Sequence, residues 1–273
     1  MKSLLIFLLI FTNVYAAPFG LSDRYKVPQN QYVLRSLNAN THETQINPYQ
    51  INVLVWNIYK GSEDTWEDSY HSLSYGQDII ITQEAFLTQK MKRVFGNSGF
   101  NYKMAVSFED GNYDDAATGV ATASQVKPLS TFWQRSLYRE PITNTPKMTL
   151  FTTYALEKMK DKLLVGNIHG INFVSTYKLK HMLIKAAEVL ARHKGPAIFA
   201  GDFNTWSTSK LKAMRQVLTQ VGFKPVSFAN DQRKRFLGKA LDHVWIKDLK
   251  VRMSDAPEVE GSDHNPMLIE LSI

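Results

Sequence analysis

Past residue 50 the apolar residues keep two rhythms. Short unbroken runs of strand length alternate with stretches where they recur every three or four positions. Ile51 to Tyr59 is a strand pattern. So is Asp78 to Gln83, whose Ile79, Ile80 and Ile81 follow one another as in a strand covered on both faces. Strand patterns recur at 102–108, 119–125, 148–156, 162–169, 197–200, 241–247 and 266–272. Residues 85–95 fit a helix stopped by Gly96. Leu179, Met182, Leu183, Ala186, Ala187, Leu190 and Ala191 line one face of a second helix. Leu211, Met214, Val217, Leu218 and Val221 line a third, with Gly222 at its end. Many strands with few helices between them predict an α/β (α+β) domain over residues 50–273. Its expected form is a four-layered sandwich of two packed β-sheets flanked by helices.

Residues 1–49 break this rhythm in two ways. Lys2 precedes the unbroken apolar run Leu4 to Phe11, and Val14 and Ala16 stand at the −3 and −1 positions of a cleavage site. This is the pattern of a secretory signal peptide over 1–16, and the run is too short to span a bilayer. Residues 17–49 hold Pro18, Pro28, Pro48 and the polar run Asn38 to Thr41, with no sustained period. They read as an N-terminal arm, poorly ordered or draped on the domain. The expected location is outside the cytosol, periplasmic or secreted.

Composition narrows the chemistry. The chain has no cysteine, which removes disulfides, thiol nucleophiles and thiolate zinc sites and leaves core burial and bound metal to stabilise an exported fold. The formal charge is +7; losing Lys2 with the leader, which carries no acidic residue, leaves 7 − 1 = +6. That surplus favours a polyanionic partner such as nucleic acid, or an anionic membrane surface. No feature calls for an obligate protein partner, and a monomer is expected.

Polar clusters stand at or just beyond the ends of the predicted strands, where α/β folds place their sites. They are Asn57, Glu84, Asn167-Ile168-His169, Gly201-Asp202-Phe203-Asn204, Leu241-Asp242-His243 and Gly261 to Pro266. Each alone has a local explanation: a turn at Asn57, a helix-dipole contact at Glu84, turn chemistry at 201–204, a structural His169. Together they supply what metal-assisted hydrolysis of a phosphate ester needs. Glu84 and Asn57 offer oxygen ligands to a hard cation such as Mg²⁺, which keeps several waters. Metal and donors neutralise charge on the phosphoryl oxygens while a polarised water attacks in line. Histidines with carboxylate partners hold the phosphate or move protons.

The order Asn57, Glu84, Asn167-x-His169, Gly201-Asp202-Phe203-Asn204, Leu241-Asp242 and Ser262-Asp263-His264 resembles the endonuclease/exonuclease/phosphatase superfamily, with its DNase I-like fold, over about residues 51–273. The stretches Leu54 to Lys60, Asn167 to Phe173, Ala200 to Trp206 and Asp231 to Arg235 are similar to the YafD-like bacterial group. The resemblance implies a metal, Mg²⁺ or Mn²⁺, on Glu84 with Asn57 beside it and Asp263 close by. It implies that Asp202 orients or deprotonates the water, that Asn204 and His264 contact the phosphate, and that His169 is the second histidine on the phosphate side. Asp242 would orient one of the two histidines; which one stays open. His169 matches the DNase, sphingomyelinase and inositol-phosphatase branches, since the abasic-site repair enzymes usually lack it.

Substrate choice has three readings. A nuclease is favoured by the basic chain, by Arg233, Lys234 and Arg235 in one loop, and by Trp206, placed to stack on a base. The plainer account of these residues is a solvated charge run and a packed aromatic. A lipid or inositol phosphoesterase fits export equally well, with Phe132, Trp133 and Tyr138 either meeting a membrane or facing the core. A non-catalytic binding module on the same fold is opposed by the intact Glu84, Asp202, Asn204 and His264. The leader makes a direct prediction: intact-mass measurement of the exported protein gives a chain beginning at Ala17, and a mass that includes Met1 contradicts it.

Overall fold

The computed structural model describes residues 24–37, 41 and 43–273; the expected signal peptide lies outside the described residues. One sheet has eight strands: β1 (Tyr25–Lys26), β2 (Leu34–Leu37), β3 (Ile51–Asn57), β4 (Ile79–Phe86), β5 (Asn101–Asp110), β6 (Ala116–Ser124), β15 (Lys250–Asp255) and β16 (Met267–Ser272). Their order is β1-β5-β6-β4-β3-β16-β15, with β2 also on β5. The second sheet has six: β7 (Ser130–Arg135), β8 (Met148–Ala155), β9 (Lys162–His169), β10 (Ala197–Asp202), β11 (Lys224–Pro225) and β14 (Asp242–Lys247), in the order β11-β14-β10-β9-β8-β7. A small hairpin, β12 (Arg235–Phe236) and β13 (Lys239–Ala240), stands apart.

Side chains alternate along each central strand, and the alternation builds the layers. Ile51, Val53 and Val55 of β3, Ile79 and Ile81 of β4, Leu163 and Val165 of β9, Ile198 and Ala200 of β10, and Val244 and Ile246 of β14 pack together between the sheets. The opposite faces take helices. Leu54, Trp56 and Ile80 meet Trp66 and Tyr70 of α1 (Trp66–Ser74) and Met91, Val94 and Phe95 of α2 (Gln89–Asn97). Phe199 and Trp245 meet α3 (Thr176–Arg192) and α4 (Thr208–Gln220). The result is helices, sheet, sheet, helices: the four-layered sandwich expected from the pattern.

Three expectations change. The helix expected over 85–95 starts at Gln89, because β4 runs on through Phe86 in register with Thr118 of β6 and Thr88 then caps the helix, its hydroxyl accepting from the Met91 amide at 3.3 Å. The described part of the arm is built into the domain. β1 and β2 pair with β5, Arg24 forks onto the Asp110 carboxylate at 2.8 Å, and Ile46 bridges to Leu156 in the inter-sheet core. Helix α1 was absent from the pattern because it is mostly polar; only Trp66, Tyr70 and Ser74, four apart, are buried.

A group of buried amide hydrogen bonds crosses the apolar interface between the sheets. Asn167 of β9 donates to the carbonyls of Thr82 on β4 (3.1 Å) and Ala121 on β6 (3.0 Å), and accepts from the Gln83 amide at 2.8 Å. Both amides are fully buried. Replacing Asn167 with Ala orphans the Gln83 donor, and a buried unpaired group costs about 1–3 kcal/mol before the cavity is counted. Urea unfolding of Asn167→Ala is expected to show a loss of about 3 kcal/mol; a loss under about 0.5 kcal/mol, the scale of surface substitutions, contradicts the bridge.

Candidate active site

The same alternation that sends apolar side chains into the interface sends polar ones there at the strand ends. Asn57 follows Ile51, Val53 and Val55; Gln83 follows Ile79 and Ile81; Asn167 and His169 follow Leu163 and Val165; Asp202 follows Ile198 and Ala200. Asp242 opens β14, ahead of Val244 and Ile246. Register brings them together. Asn57 is opposite Gln83, and Asp202 is opposite both His169 on one side and Asp242 on the other. Gly201 lets β10 approach β9 so closely: its φ is +140° and a Cβ there would collide with the Ile168 carbonyl oxygen.

Glu84 arrives by a different device. The β4–β6 register slips between Thr82 and Ala85, and Glu84 takes φ +56° in this bulge. A non-glycine residue in the left-handed region is strained, and here it re-aims a carboxylate toward the ends of the sheets. The Asn57 amide donates to Asp202 Oδ2 at 3.2 Å and lies 3.5 Å from Glu84 Oε1. Its hydrogens thus sit between two carboxylates.

The last loop closes the site over β3. Trp56 Nε1 donates to the His264 carbonyl at 2.7 Å, Ser262 Oγ donates to the Asn57 carbonyl at 2.7 Å, and the His264 amide donates to Ser262 Oγ at 3.1 Å. His264 is thereby set against Asp242, with Nδ1 2.8 Å from Oδ2. This answers which histidine Asp242 orients. His264 Nε2 points the other way, 4.0 Å from Asp263 Oδ1 and beyond hydrogen-bond reach. His169 Nε2 lies 3.6 Å from Asp202 Oδ2.

Charge follows from these positions. Burial lowers the His264 pKa, but Asp242, then Asp202 and Asp263, raise it to about 10, so the ring is a cationic donor at neutral pH. Burial, followed by Lys147, His264 and Lys60, holds His169 well below its ordinary value and neutral. Burial and the charge of Asp242 push Asp202 up to about 7, against the opposing pull of His264 and the Asn204 amide.

A divalent cation fits this donor set. Glu84 is in no ion pair among the described residues, and Asp242 Oδ1 is buried without a hydrogen-bond partner. Asp202, Asp242 and His264 place ligand atoms within 4.8 Å of one another, but His264 Nδ1 is already engaged by Asp242, so this trio is a dyad beside a carboxylate. Glu84 is the better seat, since its carboxylate is not tied to a basic side chain, with Asn57 beside it turning its amide nitrogen to Glu84 and its Oδ1 to the Tyr59 amide.

The other expected residues fall as follows. The Asn204 amide donates to Asp202 Oδ1 and its side chain to the Gly170 carbonyl, both at 2.8 Å, tying the loops after β9 and β10. Asp263 is exposed and faces Lys234 at 3.4 Å. Arg233 forks onto Asp231 at 2.7 Å and donates to the Asp242 carbonyl, and Arg235 shares Asp231. Lys234 is the one of the three that pairs with Asp263, the neighbour of His264. Trp206 donates to Asn172 at 2.9 Å, with the buried Lys210 ammonium 4.1 Å from its ring centre.

Comparison with known proteins places this geometry. A family model described as "Endonuclease/Exonuclease/phosphatase family" matches residues 54–264. The chain belongs to the Endonuclease/Exonuclease/phosphatase family. Members of this family hydrolyse phosphate esters and generally depend on a divalent metal. A UPF0294 protein of Vibrio vulnificus (strain YJ016) is 36% identical over 274 residues, covering 95% of this chain and 94% of the relative. Among solved structures, the mannosyl-6-phosphatase Bt3783 of Bacteroides thetaiotaomicron VPI-5482 is similar with TM-score 0.58, 17% identity, and 82% and 100% of the two chains covered. The human Nocturnin catalytic domain, solved with a bound sulfate anion, gives TM-score 0.60, 16% identity and coverage of 84% and 96%.

Sequence reasoning missed the supports of this family's site here. His243 was quoted only as a neighbour of Asp242. Its Nε2 lies 2.7 Å from Thr205 Oγ1 and its ring meets Phe203 edge-on, bracing the loop that carries Asn204. Burial, then Arg233, lowers its pKa to about 3. A histidine near 6.5 when unfolded binds its proton more readily unfolded than folded, so stability is full above about 6.5 and falls as pH drops toward 3. One such group gives a slope of about 1.4 kcal/mol per pH unit. Urea unfolding between pH 3 and 6.5 is expected to lose that slope in His243→Asn; an unchanged slope contradicts the buried neutral histidine.

Proposed function

We propose that this protein is an exported, Mg²⁺-dependent phosphodiesterase acting on nucleic acid, a nuclease. The observation that carries the hydrolytic part is the convergence of the Asp242–His264 pair with Asp202, Asn57 and Glu84 at the joined ends of two sheets. Glu84, with Asn57 beside it, would hold Mg²⁺ or Mn²⁺, which would supply neutralisation of phosphoryl charge. Asp202, the buried carboxylate whose pKa lies nearest neutral, accepts the proton of the attacking water. His264, cationic and held by Asp242, donates from Nε2 to a phosphoryl oxygen. His169, neutral beside Asp202, donates to the phosphate without adding charge. Asn204 keeps Asp202 in place and turns its remaining amide hydrogen to the substrate.

Nucleic acid is supported by the +7 charge and by Lys234 beside Asp263, with Trp206 and Phe236, edge to face at 6.3 Å, as aromatic surface for a base. A second reading, a lipid phosphoesterase, draws on one observation. Leu237, 74% exposed, tips the β12–β13 hairpin between Arg235 and Lys239, as a lipid-contacting loop would.

The test is hydrolysis by purified mature protein of plasmid DNA, RNA, sphingomyelin and inositol phosphates, with Mg²⁺ and with excess EDTA. Cleavage of a polynucleotide that EDTA abolishes and Mg²⁺ restores is expected, weakening steeply with salt as backbone contacts release counterions. Hydrolysis of sphingomyelin alone transfers the assignment to the lipid reading. Full activity in EDTA removes the metal from the account.

A further inference from the structure

A cavity of about 120 Å³ opens from the catalytic cluster, bounded by Glu84 on one side and His169 on the other. It recedes between the bulged ends of β5 and β6 (Ser107, Phe108, Thr118) and the segment before β8 (Glu140, Thr143, Lys147). Two lysines line it that the hydrolytic scheme does not use, Lys60 and Lys147.

Lys60 is held there by backbone geometry. The turn after β3 takes φ +45° at Tyr59 and +58° at Lys60, conformations that non-glycine residues adopt at a cost. The turn is anchored at the site itself, since Asn57 Oδ1 accepts from the Tyr59 amide at 3.2 Å. Among the described residues the Lys60 ammonium has no ion pair; it lies 5.9 Å from the centre of the Phe86 ring. Lys147 comes from the other sheet. Its side chain is only 14% exposed and meets Glu140 at a long 3.4 Å, while the other oxygen of Glu140 accepts from the Asn172 amide. Both ammonium charges reach the catalytic centre, where they help keep His169 neutral.

We propose that Lys60 and Lys147 form an anion subsite that binds a second phosphate of the substrate, beside the phosphate being hydrolysed. The inference rests on the phosphoesterase reading and deepens it. A half-buried unpaired ammonium is costly alone and is stabilised by an anion that it and a second lysine lining the same cavity share. Glu84 is given to the metal, so the lining that remains carries two cations against Glu140. Thr118, Thr143 and Ser107 put hydroxyl-bearing side chains around the same space. The second phosphate has two sources: a phosphorylated end or neighbouring link of a nucleic-acid strand, or a small bisphosphate.

The experiment has two arms. In the first, kcat/KM is measured with Mg²⁺ for a dinucleotide with and without a 5′-phosphate, and for an inositol bisphosphate and monophosphate. The wild type is expected to favour the member with the second phosphate by about tenfold or more in one pair, and that pair names the source. Lys60→Ala and Lys147→Ala should bring the ratio toward one, mainly through KM, and the Arg variants should retain it. In the second arm, calorimetry with Mg²⁺ compares methylenediphosphonate with methylphosphonate, neither of which is hydrolysed. Tighter binding of the diphosphonate, lost in both Ala variants, upholds the subsite even if no substrate turns over, in which case the phosphoesterase reading alone falls. Hydrolysis with a ratio near one in both pairs overturns the subsite and leaves that reading standing. Equal binding of the two phosphonates, or a preference that survives both Ala variants, also overturns it.

Discussion

The site depends on how two sheets are held against each other, and a buried pair of amides sets that relation. Apolar side chains alone tolerate sliding, because Val, Ile and Leu fit one another at many offsets. The Asn167 amide does not. It needs the Thr82 and Ala121 carbonyls and the Gln83 donor at hydrogen-bond distance, inside a layer where any lost partner stays unpaired. Gln83 is opposite Asn57 in β3 and adjacent to Glu84; Asn167 lies two residues from His169 and opposite Ala200, two residues from Asp202. The amide pair therefore fixes the Glu84 side of the site, carried by one sheet, against the Asp202 side, carried by the other.

From that constraint the electrostatics follow. Asp202 and Asp242 are opposite each other at 2–3% exposure, an arrangement that two ionised carboxylates resist. The fold answers with His264, carried in by a loop that is pinned to β3 through Trp56 and Ser262. The same crowding that raises Asp202 keeps His264 cationic at neutral pH. A base near neutrality beside a charged donor suits attack on an anionic ester.

Most of the fold was legible because the central strands are covered on both faces and read as apolar runs that end in polar residues. Ile51 to Asn57 and Ala197 to Asp202 show this directly. Asn57, His169 and Asp202 were legible for the same reason, continuing the alternation of the interface face past its apolar residues, whereas Glu84 is turned in by a bulge and Asn204 and His264 stand on loops. What escaped was whatever lacks an apolar signature. Helix α1 buries three residues of nine, and β1 and β2 are short strands held by β5. The Arg233 to Arg235 run shows the converse. Its composition pointed outward to a polyanion, but Asp231 holds both arginines and Arg233 also supports the Asp242 carbonyl. Charge along a sequence does not reveal an acid two residues upstream that folds back onto it. Lys60 escaped because nothing in its neighbours announces a left-handed turn.

The account's central claim is that groups from two sheets act as one unit on one phosphate. A kinetic cycle on a small phosphodiester, with Mg²⁺, tests it most directly: wild type, Glu84→Gln, His264→Asn and the double variant. Each single change is expected to lower kcat/KM on the order of a thousandfold. Groups that act together are grossly non-additive, so the double variant should lie within about tenfold of the slower single. Wild-type kcat/KM in either single variant, or losses that simply multiply in the double, would contradict the account.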